Sequence, residues 1–166
     1  MIKKFFLLTL LIFFINSNSF SAGGSSDEGE SLKAKGPSKY RISDKWIDKA
    51  KKFDKKGKTE KAQKFYKKAF DNLIKINAKE PGQADVLNYL GFTSRKLGDF
   101  ENAETYYLLG LEIEPNHYGI NEYLGELYVN TDRLDLAKER LKILKDCNCE
   151  EFEELKSAIE AGKSKY

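Results

Sequence analysis

ADVLNYLGFTSRKLGDFENAETYYLLGLEIEPNH, residues 84–117, decides the fold. Leu87, Leu90, Gly91 and Leu97 recur at helical steps, and so do Ala103, Tyr106, Tyr107 and Leu111. Two amphipathic helices follow from that spacing. Gly98-Asp99 separates them and Pro115-Asn116 closes the pair, both pairings of turn-forming residues. A shift of 34 residues carries Tyr89 onto Tyr123, Leu90-Gly91 onto Leu124-Gly125, Phe100 onto Leu134 and Ala103 onto Ala137. A shift of 41 residues brings an earlier unit into phase. Trp46 meets Leu87, Ala50 meets Gly91, Gly57 meets Gly98, Ala62 meets Ala103 and Tyr66 meets Tyr107. The excess is about two helical turns. It falls before Pro81, so the second helix of the first unit is expected to be longer than its counterparts. No stretch alternates with period two, and no sheet is expected.

The chain of 166 residues has room for one modest domain. It carries 33% charged residues and a net charge of +3, too little for strong attraction to nucleic acid by itself. A single histidine rules out sites built on several imidazoles. At the N-terminus, Lys3 and Lys4 precede an apolar run from Phe5 to Ile15, followed by small and polar residues to Ala22. That layout predicts a signal peptide over residues 1–21, and a periplasmic or secreted protein after its cleavage. The apolar run is about 17 Å long as a helix, short of the ~30 Å hydrocarbon layer. Residues 22–39 are rich in glycine, serine and charge, with Leu32 as their only large apolar residue. They are expected to form a disordered leader.

The recurring large residue, the Leu-Gly pair, the alanine followed four residues later by an aromatic, and the closing proline resemble the tetratricopeptide repeat (TPR) family. Residues 84–117 match that pattern best, through Leu87, Leu90-Gly91, Ala103, Tyr107 and Pro115. The resemblance implies an all-α fold of three TPR-like hairpins stacked as a right-handed solenoid. Its units lie at about 43–83, 84–117 and 118–151, within a repeat domain over 40–149. A capping helix at 150–162 and a tail at 163–166 would complete it. Gly91 with Ala103, and Gly125 with Ala137, are expected to be small where the two helices of one hairpin meet. The architecture is also similar to short exported bacterial TPR proteins of uncharacterised role.

TPR-like proteins bind peptides along a concave groove lined by the first helix of each repeat. Carried over position by position, the ligand groove comprises Asn88, Tyr89, Phe92 and Arg95 in the second unit, and Glu122, Tyr123 and Glu126 in the third. Asp44, Ile47, Lys51 and Asp54 hold the same places in the first. Aromatic anchors and arginine are favoured at interface centres. The plainer alternative is that Tyr89 and Tyr123 only pack between helices. The expected partner is a protein or peptide, and the expected role an exported interaction module, adaptor or scaffold.

Two further features stand apart. Cys147-Asn148-Cys149 lies between the last repeat helix and the cap. In an oxidising compartment the pair is a disulfide candidate. The alternative role for the whole protein is redox or soft-metal handling through Cys147 and Cys149, although no third ligand is near in sequence; His117 reads as a turn residue. Ten lysines from Lys49 to Lys68 are opposed only by Asp54 and Glu60. A solvated face is the ordinary reading of such a run, and peripheral contact with an anionic membrane surface the functional one. The sequence contains no phosphate loop, nucleophile elbow or metalloprotease helix. It reads as a chain without enzymatic activity, cofactor, metal site or nucleic-acid partner.

Overall fold

The computed structural model describes residues 40–164. The signal peptide and leader expected over residues 1–39 lie outside the described residues, as do the last two residues of the tail.

Seven helices make up the described chain, with no strand among the described residues. They are α1 (Arg41–Asp54), α2 (Thr59–Lys79), α3 (Ala84–Lys96), α4 (Phe100–Ile113), α5 (Tyr118–Asn130), α6 (Leu134–Leu144) and α7 (Glu150–Ala161). Helix α2 has 21 residues where α4 has 14, so the two extra turns of the first unit extend its second helix. The turns are made by residues suited to left-handed backbone. Gly98 has φ +85°, and Asp132, its equivalent one repeat later, has φ 59°. Asp99 then caps α4 by accepting from the Asn102 amide at 3.2 Å.

Within each unit the two helices pair closely, α1 with α2, α3 with α4 and α5 with α6. Each second helix then receives the first helix of the next unit, α3 against α2 and α5 against α4. Helix α7 closes the stack by packing on α5 and α6. This is an all-α helical repeat solenoid. Alanine makes the close approach possible: Ala50, Ala62, Ala69, Ala103 and Ala137 are completely buried. Between hairpins the contacts are aromatic. Tyr66 meets Phe92 edge-on at 6.1 Å, and Phe92 meets Tyr123 at 5.3 Å. Each unit therefore hands its apolar face to the next, because one hairpin cannot cover that face alone.

Gly91 and Gly125 occupy the same repeat position but serve different contacts. A Cβ on Gly91 would lie 2.4 Å from the Tyr107 ring, within the same hairpin, as expected. On Gly125 it would lie 2.5 Å from Leu155 of α7, and its three nearest atoms all belong to that residue. The repeat spacing predicts that Gly125 meets α6 as Gly91 meets α4; its nearest contact is instead the cap helix. Leu141 stands where the second unit has Tyr107, and the cap side chain fills the space next to Gly125.

Candidate functional site

The seven groove candidates all lie on α3 and α5, first helices of adjacent units that touch directly. Their surroundings divide them into two groups. Phe92, Arg95, Glu122, Tyr123 and Glu126 are buried, while Asn88 and Tyr89 are only partly covered.

Arg95 and Glu126 form an ion pair across the α3–α5 contact. Both terminal guanidinium nitrogens donate to Glu126 Oε2, at 3.1 and 3.0 Å. The two side chains are 2% and 1% exposed. The guanidinium also lies 5.5 Å from the Tyr123 ring centroid. Arg95 thus spends its charge on Glu126 rather than presenting it to solvent. Lys96 is similarly engaged, 2.9 Å from Asp54. Asp54 also accepts from the Tyr66 hydroxyl at 2.9 Å. Lys51 reaches over the Phe92 ring at 4.9 Å.

Around Tyr89 the field is negative. Burial first, and then Asp44, Asp85 and Asp48, push its phenol far above the usual tyrosine range. Desolvation likewise raises the Asp44 carboxyl, while its hydrogen bond with Tyr89 works in the opposite direction. Asp85 is held 3.2 Å from His117 Nε2. The other ring nitrogen of His117 accepts from the Ile120 amide at 3.2 Å and caps α5. His117 is therefore a turn residue with a capping task. Asn121 secures the same turn by donating to the carbonyls of Pro115 and His117, each at 3.0 Å. Asn88 Oδ1 is buried and accepts no hydrogen bond among the described residues.

Two contributors were missed in the sequence. Tyr40 packs 6.3 Å from Tyr89 of the second unit and donates to Gln83, the residue just before α3. It stands one residue before α1, where helical periodicity carries no signal. Tyr107 is completely buried beneath Tyr123 at 6.5 Å. The repeat spacing places it only within its own hairpin.

Tyr89 and Tyr107 give the molecule an alkaline limit. Burial holds the Tyr107 phenol far above its ordinary value, against the pull of Arg95. Both groups keep their protons more tightly folded than unfolded. Their contribution is complete below about pH 10 and drains away above it, as the unfolded chain ionises first. The urea midpoint should therefore fall as pH rises past about 10, and fall less steeply in Tyr107→Phe. A midpoint that stays level up to about pH 11 in the unaltered chain would contradict this assignment.

The sulfurs of Cys147 and Cys149 lie at bonding distance, with Cα atoms 5.1 Å apart. Asn148 between them takes φ 48°, so the turn folds the two side chains to one side. Among the described residues no group of three or more His, Cys, Asp or Glu is placed to hold a metal ion. No described helix is long and apolar enough to cross a membrane.

Residues 84–117 match the family model described as tetratricopeptide repeat. No curated protein matches the chain. Similar solved structures include the second TPR domain of human RPAP3 in complex with an HSP70 peptide. It is 17% identical with a TM-score of 0.46, over 74% of this chain and 98% of that one. The Arabidopsis OM64 TPR domain is 14% identical with a TM-score of 0.47, over 74% and 98%. The first TPR of Spaghetti (RPAP3), bound to an HSP90 peptide, is 20% identical with a TM-score of 0.46, over 74% and 96%.

Proposed function

Because the chain carries the tetratricopeptide repeat, we propose that it is an exported protein-interaction module, an adaptor or scaffold. It takes an extended segment of a partner protein along the first helices α1, α3 and α5. The observation that carries this reading is Asn88. Its buried acceptor makes no hydrogen bond among the described residues, and it stands beside the partly covered Tyr89. An unsatisfied acceptor costs about 1–3 kcal/mol; the oxygen is closed to solvent as it stands, and a turn of the partly covered Asn88 side chain would bring it to a backbone N–H of an extended segment. Tyr89 supplies the adjacent aromatic surface. The buried set of Phe92, Tyr123 and the Arg95–Glu126 pair supports these two from below.

Charge narrows the partner. With Arg95 and Lys96 already paired, and Asp44, Asp48 and Asp85 acting on Tyr89, the face suits a neutral or basic segment better than an acidic carboxyl terminus. The N-terminal pattern of residues 1–21 supports action in the periplasm or outside the cell. In that compartment Cys147 and Cys149 would stay joined and brace the turn into α7.

A photo-crosslinking residue at position 88 should capture a partner protein, whereas the same residue at exposed Lys138 should not. With that partner purified, Tyr89→Ala should weaken binding at least about tenfold, as loss of an aromatic anchor does, with the helical signal unchanged. Phe92→Ala and Arg95→Ala should weaken binding and lower the melting temperature together, since both side chains are buried. Full affinity in Tyr89→Ala, or equal capture from positions 88 and 138, would overturn the site.

A further inference from the structure

We infer that the first hairpin presents a docking face for an anionic bilayer surface, centred on the α2 lysines rather than on the partner site proposed along α1, α3 and α5. The charge balance there is more one-sided than composition suggests. Nine of the ten lysines from Lys49 to Lys68 are exposed, and Lys51 is partly so. Of the two acids in that segment, Asp54 is turned inward to the Tyr66 hydroxyl and to Lys96. Glu60 is the only acid of the segment left on the surface. Just beyond it, Asp71 is held by Lys67.

The face also has an apolar floor. Phe53 and Phe65 stack at 5.6 Å where α1 meets α2. Lys49 lies 4.5 Å and Lys68 5.4 Å from the Phe65 centroid, and Lys61 lies 5.9 Å from that of Phe53. Beside these rings, Phe65 and Leu97 floor a surface hollow of about 600 Å³ rimmed by Gln63, Lys64, Lys67 and Lys68. The rings hold these lysine stems over them, and the exposed ammonium groups are where the phosphates of an anionic bilayer would be met.

Lysine usage favours lipid over an acidic protein. The segment contains no arginine, although arginine is the side chain whose planar fork fixes individual carboxylates. The chain's arginines lie elsewhere, with Arg95 on Glu126 and Arg133 on Glu104. Flexible point charges spread over two helices respond to a surface potential rather than to a shaped site.

The test is sedimentation of the full chain with phosphatidylcholine vesicles, with and without phosphatidylglycerol. Binding should require the anionic lipid and fall as salt is raised. The Lys61→Gln, Lys64→Gln, Lys68→Gln variant should partition on the order of a hundredfold less, at about fivefold per lysine near a charged surface. Lys138→Gln, Lys142→Gln, Lys156→Gln should bind like the unaltered chain. All six lysines are exposed, and circular dichroism should show every variant folded. Equal binding to neutral vesicles would overturn the inference and assign membrane contact to the apolar residues 5–15. Retention by the first triple variant would overturn it as well. Capture of polyglutamate without vesicle binding would replace the lipid by an acidic protein.

Discussion

Exchanging Glu126 for alanine should lower the unfolding free energy by about 3–5 kcal/mol, the range for breaking a buried ion pair by removing one partner. The residue is completely buried and its Oε2 receives both terminal nitrogens of Arg95. Arg95 has no low-cost alternative. It is 4% exposed, and a guanidinium does not shed its proton. Glu126→Gln keeps an acceptor but loses the charge, so its urea midpoint should fall between the two. Replacing both partners, as Arg95→Met with Glu126→Leu, should recover most of the loss, because neither member of the pair is then left buried without the other. A Glu126→Ala chain that unfolds at the unaltered midpoint would show that the pair is not shielded from water. The pair ties α3 to α5, so the damage should spread through the contact between the second and third units.

Gly91→Leu should be the next most damaging change, at about 3 kcal/mol, the upper end of ordinary overpacking. Even the first added carbon would sit 2.4, 2.6 and 2.8 Å from three atoms of the Tyr107 ring. Tyr107 cannot retreat, being completely buried with Tyr123 at 6.5 Å. Exposed Lys64→Ala should change stability by no more than about 0.5 kcal/mol. Gly125→Leu offers an internal comparison. Its obstruction is the branched end of Leu155, so adding Leu155→Ala should return part of its lost stability and should return none to Gly91→Leu. Equal melting temperatures for Gly91→Leu and Lys64→Ala would refute the register of the second unit.

The sequence by itself determined the helices, their turns, the three-unit repeat and the extra length of α2. These features obey local rules. Apolar residues three and four apart share a helix face, Gly98 and Asp132 accept left-handed backbone, and alanines admit a second helix. Such constraints recur with the repeat and need no knowledge of distant neighbours. The candidate site was legible only as a set of positions. Asn88, Tyr89, Phe92, Arg95, Glu122, Tyr123 and Glu126 could all be assigned to first helices, yet their division into partly covered and buried could not. Arg95 and Glu126 stand 31 residues apart, and nothing in their spacing says that one neutralises the other. The same holds for Asp54, whose capture by Tyr66 and Lys96 leaves the lysine face less opposed than its composition implies. Gly125 looked equivalent to Gly91 until the stack placed Leu155 against it. Tertiary structure decided these points because the geometry of stacking sets which side chains converge across hairpins. Charge in particular is read from the chain as a count, whereas its effect depends on the partner and the water that folding leaves beside it.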